Sequence, residues 1–310
     1  MGLFARAKKY DGWLATAFAS DGVSAATVTR VAGGKPVVRG VAFQPAPRPA
    51  GADVLEKLGK QLQAPSWRCT SLLAAGEYQL LALEAPAVPP EERKTAVGWR
   101  LKDMLDFPLA EATIDVVDIP GDPNGVARGS VFAVAARDSA VSRRQALYAD
   151  CKIALAAIDI PEMAQRNIAT LLETPGRGLA MLSFDADGGL LTMSHNGELY
   201  QARRIDVTLA QLREADASAF HDRVTLELQR SFDHFDRQFH YISVARLLLA
   251  AGGADGLHGY LSDNLYMPVE LLDLASVFDF SAVPELLDAG AQARYFQVLG
   301  AALREEGKGA

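Results

Sequence analysis

The sequence is poor in cysteine. Its 310 residues hold two, Cys69 and Cys151, far apart and in no C-x-x-C spacing. That excludes a disulfide framework and a zinc site of the usual spacing, and it fits a reducing compartment. Long apolar runs are missing too: no stretch reaches the roughly 18–20 residues that a membrane helix needs. The start, MGLFARAKKY, carries Arg6, Lys8 and Lys9 with no apolar segment behind them, so it is not a secretory signal. Leu3 and Phe4 beside those cations either touch an anionic membrane surface or belong to a plain basic terminus. Basic runs are absent elsewhere, and the formal net charge is −7, which sets nucleic-acid binding aside. Three catalytic patterns are also missing: the G-x-S-x-G elbow, the G-x-x-x-x-G-K-[ST] phosphate loop and H-E-x-x-H. The five histidines, His195, His221, His234, His240 and His258, show no ligand spacing.

What is present is an alternation of strands and helices. WLATAFAS, VSAATVTR and KPVVRGVAF (residues 13–43) are rich in small and β-branched residues and are parted by Asp21-Gly22 and Gly33-Gly34, a three-strand meander. After a proline-rich loop, VLEKLGKQLQA places Val54, Leu55, Leu58 and Leu62 on one face of a helix. RCTSLLA and EYQLLALEA read as a hairpin. A helix opened by Pro89-Pro90, a strand ATIDVVDIP, a GDPNG turn, a strand SVFAVAAR, a helix from Asp138 and a strand ALAAIDIP follow. The second half restarts the rhythm. Three strands over Gly178–Val207 are joined by Asp187-Gly188-Gly189 and Asn196-Gly197, the strongest hairpin signals in the chain. A long helix then carries the stripe Val224, Leu228, Phe232, Phe235 and Phe239. The duplication predicts two related α/β lobes.

Two glycine turns are the candidate sites. SFDADGGLLTM contains Asp185, Asp187, Gly188 and Gly189 in an acidic turn. Such a turn can offer backbone N–H groups to phosphate and a carboxylate to Mg²⁺, or it simply closes a hairpin. Gly252-Gly253, between an apolar run and a helical pattern, carries the same ambiguity. The acids Asp106, Glu111, Asp115 and Asp118 have the chemistry for acid–base work, but a solvated acidic stretch accounts for them better, since nothing in the sequence sets one of them apart.

The ordered pieces GWRLKDMLDFPLAEATIDVVDIP, AAIDIPEMAQRNIATLL, GELYQARRID, LELQRSFDHFD, LLLAAGGADGLHGYLSDNLYMPVELLD and VLGAALRE resemble the MshI family. These are biogenesis proteins of MSHA-type type IV pili and relatives of PilM. The pieces span most of residues 99–304; the first hundred residues match only in strand pattern. The resemblance implies an actin-like (ribonuclease H-like) α/β fold of two lobes, with mixed sheets flanked by helices. It places the first lobe at 1–160, with an inserted subdomain, and the second at 161–310, with a final helix over about 284–304 returning to the first. It implies a cytoplasmic protein under the inner membrane that touches the bilayer only peripherally. Its partner would be the cytoplasmic tail of a PilN- or MshJ-like bitopic protein, bound in a first-lobe groove, and it would couple that partner to the secretion ATPase.

In the actin-like fold three elements hold Mg-ATP. The adenosine turn, a glycine pair followed by a leucine, is matched at Gly252, Gly253 and Leu257, with three residues between the pair and the leucine. The second-lobe phosphate turn matches loosely across Asp185, Asp187, Gly188, Gly189 and Thr192. The first-lobe phosphate turn is missing: WLATAFASDGVSAATV has no strand aspartate and no glycine pair before Asp21-Gly22. The resemblance therefore implies a non-catalytic adaptor with no required cofactor and at most weak ATP/Mg binding. The alternatives are an ATP-binding switch or weak ATPase of the same machinery, and a GspL-like type II secretion domain, which would continue into a membrane helix.

Overall fold

The computed structural model describes residues 11–47, 49–122 and 129–305, leaving aside the side chain of Asp255. The basic start and most of the GDPNG turn lie outside the described residues. The first half runs β1 (Trp13–Ala19), β2 (Gly22–Thr29), β3 (Val37–Pro45), α1 (Ala52–Gln61), β4 (Arg68–Leu72), β5 (Tyr78–Glu84), α2 (Pro90–Leu101), β6 (Ala112–Ile119), β7 (Ser130–Arg137), α3 (Asp138–Asp150) and β8 (Leu155–Asp159). The second runs α4 (Pro161–Ala169), β9 (Gly178–Asp185), β10 (Gly188–His195), β11 (Glu198–Ile205), α5 (Leu209–Leu212), α6 (Ser218–Gln238), β12 (Val244–Ala250), α7 (Asp255–Asn264), β13 (Val269–Leu271) and α8 (Ala289–Ala301).

The chain divides into two compact units, one of Met1–Leu72 with Tyr148–Ala310, the other of Leu73–Leu147. The larger unit holds two five-stranded sheets of the same order, β3-β2-β1-β4-β8 and β11-β10-β9-β12-β13. In each, an antiparallel meander leads to parallel strands. The repetition reaches into detail. The β1–β2 and β9–β10 turns each have two residues, and each second strand opens on a glycine of positive φ. Each second strand also shifts register on its outer neighbour between its sixth and seventh residues, at Thr27/Val28 and at Met193/Ser194. Every residue of β2 is buried, and so is β9 up to Asp185, because helices cover both faces.

α8 lies on β1, β2 and β4 of the first sheet, and α4 lies on β9, β10 and β11 of the second. The two helices meet backbone to backbone: a Cβ on Gly300 would stand 2.2 Å from the carbonyl oxygen of Ala164. Around that contact Ala26, Val28, Ile168, Met181, Leu248 and Phe296 form one core. The smaller unit is a β5-β7-β6 antiparallel sheet under α2, with Val97, Leu101, Phe107 and Val131 in its core. Within it Arg144 is buried and pairs with Glu77 at 2.8 Å. Among the described residues no helix is long and apolar enough to cross a membrane.

Two readings of the sequence need correction, and one helix was not read. RCTSLLA and EYQLLALEA do not form a hairpin: β4 pairs with β1 and β8, whereas β5 pairs with β7. Adjacency in sequence suggests the pairing, and the sheet partners come from further along the chain. The final helix does not run unbroken from Pro284. A 3-10 turn covers Pro284–Leu287, Asp288 is extended and caps the next turn through Ala291 N, and α8 starts only at Ala289. α4, opened by Pro161, does not stand out in the hydrophobic pattern because nine residues carry too few periods.

Cys69 is buried and Cys151 half-buried, both as free thiols. Burial pushes Cys69 up to about 12, so it is an inert core thiol.

Candidate functional site

The two equivalent turns face each other across a cleft. Ser20 Oγ donates to Ala186 O at 3.4 Å. A cavity of about 190 Å³ lies there, lined on the first-lobe side by Ala19, Asp21 and Ser24 and on the other by Asp185, Ala186 and Arg213, with Arg294 and Gln297 of α8 beside them. The symmetry exposes a difference in chemistry. Register places Ala19 opposite Gly22 and Asp185 opposite Gly188. Where the second lobe ends its first strand on a carboxylate, the first lobe ends on a methyl group.

Asp185 is engaged in its own turn. Its Oδ1 accepts from Asp187 N at 2.8 Å. Burial pushes its pKa up, opposed by the N–H groups of Asp187 and Gly188 and by the Arg204 charge. A raised carboxyl pKa means that the native state holds the proton more tightly than the unfolded chain. The resulting stability is fully present below the unfolded value of about 3.9 and is lost as pH rises through the folded value. Asp185→Asn keeps the Oδ1 acceptor and removes the buried charge. Its melting temperature should exceed that of the parent at pH 7, and the gap should close toward pH 4. Thermal scans across that range check this; a lower value at pH 7 would mean that the carboxylate's hydrogen bonds outweigh its desolvation.

The neighbouring glycines have packing reasons. A Cβ on Gly188 (φ +134°) would sit 3.0 Å from Ile205 O, and one on Gly189 2.6 Å from the Phe184 ring. Asp187 is half-buried at the tip of the turn. Thr192 is buried in the sheet, where its Oγ1 accepts from Gln165 Nε2 at 2.9 Å. Asp185 thus lines the cleft, while Thr192 points into the core.

The second glycine turn lies between β12 and α7. A Cβ on Gly252 would stand 2.2 Å from Ala289 O, so this glycine lets the turn touch the start of α8. Gly253 has φ +81°, and its Cα faces the Arg213 guanidinium, which donates to Gly252 O at 2.5 Å. Leu257 is fully buried. Gly252 and Gly253 line a second cavity, of about 270 Å³, with Leu249, Leu272, Leu274 and Phe296.

Sequence reading missed Arg213, Arg294 and Gln297. Arg294 pairs with Asp21 at 3.3 Å and stacks over Phe43 at 4.1 Å. Gln297 Nε2 donates to Ser183 Oγ at 3.3 Å, and its Oε1 is buried without a partner. No motif marks these residues; α5 and α8 bring them to the cleft from far along the chain. The arginines have the chemistry to meet an anion. A magnesium-bound triphosphate needs convergent donors from both lobes. The first lobe offers Ala19 and an Asp21 already paired, and among the described residues no group of three or more His, Cys, Asp or Glu converges.

No family model matches the chain, and no curated protein matches it. Solved structures do. A chain of a PilM–PilN type IV pilus biogenesis complex superimposes with a TM-score of 0.76 at 18% identity, covering 94% of this chain and 98% of that one. A Bacteroides thetaiotaomicron protein with an actin-like ATPase fold and unknown function gives 0.54 at 9% identity, covering 92% and 98%. The cytoplasmic domain of EpsL, an inner-membrane component of the Vibrio cholerae type II secretion system, gives 0.50 at 12% identity, covering 91% and 94%. The protein therefore has the actin-like fold, built as two α/β lobes on mixed sheets.

Proposed function

We propose that this protein is a PilM-like, non-catalytic adaptor of a type IV pilus assembly platform, of the MSHA type. It works in the cytoplasm at the inner membrane, where its first lobe receives the cytoplasmic tail of a PilN- or MshJ-like bitopic protein. The secretion ATPase is its further partner. The observation that carries this reading is the likeness to the PilM–PilN structure over nearly the whole of both chains. The MshI-like pieces of the sequence add the MSHA assignment. The cleft supports the non-catalytic part of this reading: Ala19 supplies no carboxylate, Asp185 is held in its own turn, and Thr192 is held by Gln165.

Calorimetric titration with Mg-ATP, and separately with the tail peptide of the PilN-like protein, tests the two halves. Mg-ATP should bind no tighter than about 100 μM, roughly −5.5 kcal/mol, with no phosphate released. The tail peptide should bind saturably. Micromolar ATP binding with turnover would make the protein an ATP-gated switch, the reading that the two cleft arginines favour. A tail peptide that gives no heat with folded protein would remove the adaptor assignment.

A further inference from the structure

The smaller unit leaves a tryptophan in water. Trp99 on α2 is 69% exposed, although tryptophan is as a rule among the more buried residues. Helix geometry shows why folding does not take it in. Val97 and Leu101 are buried in the unit's core with Val131 and Ala133. With about 3.6 residues per turn, Trp99, midway between them, stands on the opposite face. An indole that packs on nothing of its own unit is the kind of group that anchors a partner.

The charges around it have one sign in excess. Thr95 and Glu92 lie one and two turns before Trp99 on the same stripe, and both are exposed. Asp103, four residues beyond, is exposed in the turn that closes α2, where Met104 N and Leu105 N both donate to Leu101 O. Glu91 and Lys102, also exposed, border the stripe. The helix's other cations are held elsewhere. Arg93 pairs with Asp118 at 2.6 Å and Lys94 with Asp115 at 2.7 Å, and Arg100 donates to Glu84 O at 2.7 Å. Three carboxylates and one ammonium therefore surround the exposed indole. Over Leu73–Leu147 as a whole, eleven Asp and Glu outnumber eight Lys and Arg, so the wider field of the unit has the same sign.

These charges select the occupant. An anionic bilayer or a nucleic acid would meet carboxylates. A second copy related by a two-fold axis would bring the same acidic stripe. A guanidinium suits both parts of the surface: it stacks on the indole face, and its N–H groups pair with a carboxylate in a fork.

We propose that the Trp99 stripe of α2 docks an arginine-rich segment of a partner protein. One arginine lies over the indole, and its neighbours meet Glu92 and Asp103. Segments of that composition flank membrane helices on their cytoplasmic side, which is where the adaptor reading puts this protein. The site goes beyond that reading and stands or falls without it.

The test uses the full chain and a blocked pentapeptide, Arg-Ala-Arg-Arg-Ala, with Glu in place of each Arg as the control. The chain has three tryptophans, and the indole N–H signal of Trp99 in NMR is the one lost in Trp99→Phe. The arginine peptide should shift that signal saturably by about 5 mM, while the signals of the buried Trp13 and Trp67 stay in place. The Glu peptide should leave all three unmoved. Glu92→Gln combined with Asp103→Asn should weaken the arginine peptide by about fivefold or more, and added salt should weaken it in the parent. Trp99→Ala should keep the parent melting temperature and bind the peptide about tenfold more weakly, read from the amide signal of Asp103. Equal shifts with both peptides, no shift by about 5 mM, or undiminished binding to either variant would each overturn the proposal. So would a Trp99 signal that moves with phosphatidylglycerol vesicles, or with protein concentration, and not with the peptide.

Discussion

Gly300→Ala should lower the stability of the larger unit by about 3 kcal/mol, at the upper end of the usual range for overpacking. The added Cβ would lie 2.2 Å from Ala164 O and 2.7 Å from Ala164 C. Both atoms are backbone in α4, so no rotamer change relieves the clash; one helix must move by about 1 Å. That movement would disturb the core that Ile168, Phe296 and Leu299 share with both sheets. For a unit of this size the loss corresponds to roughly 6–12 °C in melting temperature. Gly259→Ala is the control. Gly259 lies in α7, and a Cβ there would have nothing within 4 Å, so alanine should be neutral or stabilising by up to about 1 kcal/mol. Equal melting temperatures for parent and Gly300→Ala would refute the close helix crossing.

Gln165→Leu should cost about 2–4 kcal/mol, of similar size but by a different mechanism. Gln165 is fully buried on α4. Its Nε2 is within hydrogen-bond reach of Met181 O, Leu190 O and Thr192 Oγ1, and its Oε1 accepts from Ser183 Oγ at 2.6 Å. Leucine fills the space and leaves the Ser183 hydroxyl and the sheet acceptors without these partners, each at about 1–3 kcal/mol if nothing replaces them. Chemical denaturation of the two proteins checks the value. Because Gln297 also donates to Ser183, the same substitution should loosen α8 at the cleft, read as faster amide exchange over Ala289–Ala301. A loss below about 0.5 kcal/mol would mean that the network contributes little.

Much of the fold was legible because it is local. The meanders were readable from Asp21-Gly22, Asp187-Gly188 and Asn196-Gly197, where a two-residue turn forces neighbouring strands to pair. The stripe from Val224 to Phe239 marked α6, because 21 residues carry several periods. The candidate site was only half legible. A glycine pair in sequence signals a tight approach without naming what approaches. At Gly252 it is the backbone of Ala289, and at Gly189 it is the Phe184 ring. Thr192 matched a phosphate-turn pattern by position, whereas its side-chain direction depends on Gln165 across the α4–sheet interface.

The sequence by itself determined the α/β alternation, the duplicated meander and the missing first-lobe carboxylate, since turn chemistry, periodicity and residue identity act over a few neighbours. Only the tertiary structure decided that β4 joins β1 and β8, that α8 begins at Ala289 and crosses α4 at Gly300, and that Arg213 and Arg294 meet at one cleft. Those outcomes rest on contacts between residues far apart in the chain, such as Arg294 and Asp21, whose cost in chain entropy is offset only when the whole core closes.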